Sequence, residues 1–209
     1  MIATLIIDDH AVVRQGLRQI ITSIPEVVVT GEAGTAREGL KMALENRYEM
    51  VVLDVHLPDG SGLDVLKQLK TMKSEVHVLI LSMYPEEQYA IRALRAGASG
   101  YLTKASAPEE LMVAIKRILS GGKYVSSSLT EALASSLQQN YDIPLHQTLS
   151  DREYQVMCMI ASGNTPGKIA SELNLSVKTI SSYRYRILQK MQMQNNTELT
   201  CYALENQLV

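Results

Sequence analysis

The sequence has little net charge, few cysteines and no long apolar run. Its formal net charge is −2 over 209 residues, so no global field marks it for nucleic acid, a membrane surface or an acidic substrate. No apolar stretch approaches the roughly 18–20 residues of a membrane span. The opening MIATLIIDDH lacks a basic segment and meets Asp8 and Asp9 too early for a signal peptide. Two cysteines, Cys158 and Cys201, make neither a disulfide framework nor a zinc site of the usual spacing. These absences predict a cytoplasmic protein with no membrane partner. What is present is ordinary: 46% hydrophobic and 20% charged residues, enough for a real core and a length that suits two domains.

Charge is distributed unevenly along the chain. Residues 1–122 hold 13 Lys and Arg against 15 Asp and Glu, whereas residues 147–209 hold six against five. No acid lies between Glu172 and Glu198, yet Lys178, Arg184, Arg186 and Lys190 do. This local basic stretch is a modest nucleic-acid signal.

In the first 120 residues, strand-length apolar runs recur at 4–7, 27–30, 50–53, 76–81 and 100–102. Most are continuous rather than alternating, as in parallel strands buried on both faces. Amphipathic stretches separate them. Val12, Val13, Leu17, Ile20 and Ile21 mark the first helix; Leu63, Leu66 and Leu69 the third; Leu111, Met112, Ile115, Ile118 and Leu119 the last. Five βα units predict an α/β doubly wound, five-stranded parallel sheet. Such sheets bind ligands beyond the carboxyl ends of their strands, where Asp8-Asp9, Asp54, Ser82 and Thr103-Lys104 stand. Three carboxylates brought together repel unless a cation sits among them, and oxygen-only donors favour magnesium over zinc. Ser82 and Lys104 could hold the other end of an anion such as a phosphoryl group. Separate structural roles compete with this reading: a helix cap for Asp9, a turn for Asp54, a solvated charge for Lys104.

The segments LIIDDHAVVRQGL, VVLDVHLPDGSGLDVL and VLILSMYPEEQYAIRALRAGASGYLTK resemble, in order and spacing, the receiver domain of two-component response regulators. The resemblance implies that Asp54 accepts a phosphoryl group. It implies that Asp8, Asp9, Asp54 and the backbone carbonyl of His56 bind magnesium (or manganese). Lys104 and Ser82 would contact the phosphoryl oxygens, and Tyr101 would be the switch aromatic that moves inward with Ser82. The donor would be a sensor histidine kinase or a small phosphodonor. His56 and Tyr84, each two residues beyond a site residue, would flank the phosphoryl group and tune its lifetime.

Residues 123–147 lose strand character, and Leu129, Leu133 and Leu137 recur every four, so a helical linker is expected between a domain at 1–122 and one at 148–209. The latter shows helices only. Ser150 with Glu153 forms a capping-box pattern, Gly163 ends the first helix, and a second runs over 166–173. Ser176 caps a third over 177–191. So tight a pair reads as helix-turn-helix. At about 100° per residue, Ile180, Ile187 and Met191 share one face of the third helix. Lys178, Ser181, Ser182, Tyr185 and Gln189 share the other, flanked by Arg184, Arg186 and Lys190.

The stretch LSDREYQVMCMIASGNTPGKIASELNLSVKTISSYRYRILQKM resembles the LuxR-type helix-turn-helix of the NarL/FixJ response regulators. The resemblance implies an all-α four-helix domain. Ser181, Ser182 and Tyr185 would meet bases, and Lys178, Thr179 and Arg184 the backbone, with Arg186 and Gln189 alongside. A last helix over 196–207, with Leu199, Tyr202 and Ala203, would help a homodimer on promoter DNA, or form core. The expected function is a DNA-binding transcriptional response regulator switched by magnesium-dependent phosphorylation of Asp54. The receiver would catalyse only its own phosphoryl transfer and slow self-dephosphorylation. One alternative is a phosphorylation-independent DNA-binding regulator whose receiver is a scaffold. Another is a phosphohydrolase, which would want a second acid where His56 stands and would not explain the helix-turn-helix. An architectural DNA protein would carry more basic charge.

Overall fold

The computed structural model describes residues 1–84, 86–106, 108–126, 129–130, 144–206 and 208–209. The chain divides into two compact units, Met1–Leu133 and Ala134–Val209. Leu133 and Leu137 of the expected linker helix lie outside the described residues.

The first unit alternates β1 (Ile2–Ile7), α1 (Ala11–Thr22), β2 (Val27–Ala33), α2 (Ala36–Glu45), β3 (Met50–Asp54), α3 (Gly62–Met72), β4 (His77–Ser82), α4 (Glu86–Arg95), β5 (Gly100–Thr103) and α5 (Pro108–Leu119). All neighbouring strands pair in parallel, in the order β2-β1-β3-β4-β5. Every residue of β3 is buried, as its unbroken apolar run requires of a central strand. Edge strand β2 alternates instead and runs to Ala33, past the expected end at 30. It gains those residues by pairing with β1 beyond a register shift at Thr4/Leu5.

One face of the sheet packs Ile6, Val52 and Leu79 against Leu17 and Ile21 of α1 and Leu111, Ile115 and Ile118 of α5. Each such side chain contributes roughly 1.5–3 kcal/mol on burial. Val12 is 82% exposed, contrary to its placement in the α1 stripe: five residues from Leu17 is about 140° around the helix. A two-residue antiparallel ladder, His56–Leu57 with Gly60–Ser61, also went unforeseen. After α5 the backbone returns to the sheet, where Tyr124 bridges Gly100 and its amide donates to Ser99 O at 2.9 Å. Residues 123–126 thus begin the expected linker as part of the first unit.

The second unit has a 3₁₀ turn at Leu145–Thr148, then α6 (Asp151–Ala161), α7 (Pro166–Glu172), α8 (Val177–Lys190) and α9 (Asn196–Glu205). Ser150 and Glu153 close the capping box, and Thr165, Ser176 and Asn195 cap the next three helices. Gly163 ends α6 at φ +81 in open space, so glycine serves there for backbone conformation. Met157, Ile169, Ile180, Ile187, Met191, Leu199 and Ala203 form the core. Leu199 and Ala203, weighed as a dimer face, are therefore core. Among the described residues, no helix is long and apolar enough to cross a membrane.

Candidate functional site

Strand order reverses between β1 and β3, the point at which open sheets of this kind bind ligands beyond the carboxyl ends of their strands. Asp8 follows β1 and is 1% exposed; Asp54 ends β3 at 3%. Lys104, just after β5, reaches across with Nζ 2.6 Å from Asp8 Oδ2 and 2.6 Å from Asp54 Oδ2. The three residues expected at separate strand ends do converge. The His56 amide donates to Asp54 Oδ1 at 3.1 Å, and the His10 amide to Asp8 Oδ1 at 2.8 Å. Asp9 does not cap α1; His10 holds the N-cap position.

Burial raises the Asp54 carboxyl to about 6, against the opposing pull of the Lys104 charge and hydrogen bond and the His56 amide. Burial also opposes the Lys104 ammonium, yet Asp54 and Asp8 outweigh it and hold Lys104 above its usual range. Three carboxylates against one ammonium leave the pocket short of positive charge. One ligand atom from each of Asp8, Asp9, His10 and Asp54 lies within 4.8 Å of the others. This oxygen-rich, electron-rich set fits a hard divalent cation.

Gly62, the first residue of α3, explains how Asp54 is set so tightly. Its amide donates to Val55 O at 2.8 Å, and a Cβ there would come 1.9 Å from the Asp54 carbonyl oxygen. Sequence reasoning passed over this glycine, because the backbone that meets it comes from β3, eight residues away, and leaves no mark in the local pattern.

Ser82 and Tyr101 are fully buried. Ser82 Oγ accepts from the Tyr84 amide at 3.1 Å, and the Tyr101 hydroxyl donates to the Tyr84 carbonyl at 3.0 Å. Both candidate switch residues thus converge on the backbone of one residue, Tyr84. The Tyr84 ring stands 5.0 Å from His56 and 5.1 Å from Tyr89, centroid to centroid.

In the second unit, α8 buries Ile180, Ile187 and Leu188. It exposes Lys178, Ser181, Ser182, Tyr185, Arg186 and Gln189. Tyr185 is 62% exposed and its hydroxyl accepts from Gln189 Nε2 at 2.7 Å. The Ser181 and Ser182 hydroxyls fold back onto carbonyls one turn earlier. Arg186 lies over the Tyr183 ring at 5.3 Å. Thr179 is half-buried and shares the N-cap with Ser176 at 2.8 Å, and Arg184 is tied to Asn196 Oδ1 at 2.6 Å. Lys190, read from sequence as flanking the DNA face, instead pairs with buried Glu153 at 2.6 Å.

Two family descriptions match the chain: the response regulator receiver domain over residues 4–116, and the bacterial regulatory proteins of the luxR family over 147–203. The chain belongs to the response regulators. This response regulator is 34% identical over 209 residues to the response regulator UvrY of Escherichia coli K12, covering 100% of this chain and 96% of that one. It is 34% identical over 211 residues to the response regulator GacA of Pseudomonas aeruginosa, covering 100% and 98%. RcsB of Salmonella enterica serovar Typhimurium, solved on promoter rprA with the phosphomimetic BeF3−, shares 25% identity at a TM-score of 0.66, covering 96% and 97%. The response regulator is therefore a DNA-binding transcriptional regulator of a two-component system, of the NarL/FixJ kind. Regulators of this family are transcription factors rather than enzymes, and their receivers bind magnesium in an acidic pocket.

Proposed function

We propose that Asp54 accepts a phosphoryl group and that its phosphorylation drives dimerisation and promoter binding through α8. The observation that carries this reading is the convergence of Asp8, Asp54 and Lys104 within 2.6 Å contacts at the sheet's switch point. Asp8, Asp9, Asp54 and the His56 carbonyl would hold magnesium or manganese, which supplies positive charge for the developing phosphoryl charge. An Asp54 carboxylate oxygen attacks phosphorus in line as the bond to the donor's leaving group breaks, giving an acyl phosphate. Lys104 exchanges its bridge between carboxylates for the new phosphoryl oxygens. Ser82 can donate its hydroxyl proton to those oxygens while its Oγ accepts from the Tyr84 amide, so the modification reaches the residue whose carbonyl Tyr101 also holds. The receiver catalyses this transfer and the slow hydrolysis of the acyl phosphate, in which water takes the phosphoryl group as inorganic phosphate and frees the Asp54 carboxylate, with His56 and Tyr84 shielding the group.

The donor is a sensor histidine kinase or a small phosphodonor, acting in the cytoplasm. On DNA, Ser181, Ser182 and Tyr185 face bases, with Gln189 buttressing Tyr185. Lys178, Thr179, Arg184 and Arg186 lie toward phosphates, in a homodimer on paired half-sites.

The test is incubation with acetyl phosphate and magnesium, reading intact mass, light scattering and promoter binding beside Asp54→Asn. One added phosphoryl group, absent from the variant, with a dimer and tighter DNA binding is expected. DNA binding without any phosphoryl group would replace this reading with that of a receiver used as a scaffold. A decay rate unchanged in a His56→Ala, Tyr84→Ala double variant would remove the shielding role.

A further inference from the structure

The N-cap of a helix favours Ser, Thr, Asp or Asn, whose side chains accept from first-turn amides. In α1 this position belongs to His10, which makes no such bond. Its Nδ1 lies 2.6 Å from Asp9 Oδ1 and 3.5 Å from Asp8 Oδ1, with the side chain 63% exposed. A ring nitrogen of His10 thus joins the carboxylates of Asp8, Asp9 and Asp54 in one cluster spanning 4.8 Å. Donors sharing an octahedral ion at ~2.1 Å stand about 3 Å apart when adjacent and about 4.2 Å when opposite. A contraction of roughly half an ångström brings the cluster to that size.

We infer that His10 supplies a nitrogen donor to the cation pocket and biases it toward imidazole-seeking transition dications (iron, nickel or zinc) relative to magnesium. The inference rests on the pocket being a cation site, as proposed above. Magnesium prefers oxygen and gains little from imidazole, whereas later first-row ions gain affinity from it. A neutral imidazole carries its proton on either ring nitrogen, and the tautomer protonated on Nε2 turns the Nδ1 lone pair to the pocket. The ring reaches the site from solvent, so this exchange disturbs no core residue.

The test titrates the full-length chain with Ni2+ alone and Mg2+ alone by calorimetry, for wild type, His10→Ala, His10→Asn and Asp9→Asn. Both His10 variants are expected to weaken nickel by about tenfold or more and to leave magnesium within about twofold. His10→Asn keeps a donor toward Asp9, so wild-type nickel affinity in that variant would show that His10 only orients the carboxylate. That result, or parallel weakening of both ions, overturns the inference and leaves the pocket reading intact. Magnesium binding no tighter to wild type than to Asp9→Asn overturns both.

Discussion

Gly62 and Asp54 touch backbone to backbone: a Cβ on the glycine would stand 1.9 Å from the aspartate's carbonyl oxygen. Gly62→Ala must therefore push β3 and α3 apart at the phosphoacceptor. Overpacking of this kind costs typically 1–3 kcal/mol. Urea unfolding of the variant should show a loss of that size, and acetyl phosphate should load it far more slowly. An unchanged loading rate would mean that the carboxylate's setting does not depend on this contact.

Lys104 compensates two buried carboxylates at once. In Lys104→Met those charges face each other uncompensated, at a cost of about 3–5 kcal/mol for a broken buried pair. A divalent cation should restore much of this. The rise in Tm on adding magnesium is expected to be larger in the variant than in wild type, and equal rises would sink the argument.

Glu153 offers a pH test in the second unit. Burial pushes its carboxyl up, but bonds from Lys190 and from the Ser150 amide and hydroxyl, with the Lys190 charge, leave it below the ordinary value of 4.5. A depressed carboxylate contributes stability that is present above its unfolded pKa and is lost as pH falls through the folded one. Stability should thus fall below pH 4.5 in wild type, and this acid limb should flatten in Glu153→Gln. Lys190→Met should leave neutral-pH stability lower by about 1.5–3 kcal/mol, the worth of a charge-assisted bond.

On α8, Arg186 and Tyr185 should fail differently. Arg186→Ala is expected to weaken binding uniformly across DNA sequences and to reduce the salt slope by about one. Tyr185→Ala should cost about 1–3 kcal/mol of discrimination at the bases it faces while leaving the slope unchanged. Promoter and scrambled duplexes titrated over a salt series separate the two; identical signatures would contradict the assignment of faces.

The sheet and its acidic pocket were legible because each buried strand is a continuous apolar run that stops at a polar residue. Asp8, Asp54, Ser82 and Lys104 are those stops. The four helices of the second unit were legible from their caps, with Ser150, Ser176 and Gly163 in expected places. Side-chain partnerships across the fold left no such trace. Lys190 and Glu153 are separated by 37 residues, and helical periodicity placed Lys190 on a face without naming its partner. His10 at an N-cap carried no known capping signal, and no periodicity marks its turn toward Asp9. Gly62 looked like any loop glycine until the approach of the Asp54 carbonyl was visible.

The bridge between Tyr124 and Gly100 also bears on how copies of the protein meet one another. β5 has four residues and ends the sheet. An uncovered outer strand offers free amides and carbonyls to any extended chain. By laying Tyr124 against Gly100, the segment after α5 occupies part of that ladder and ends the pairing within its own molecule. The same stretch that leads out of the receiver thus guards its flank against strand addition and aggregation.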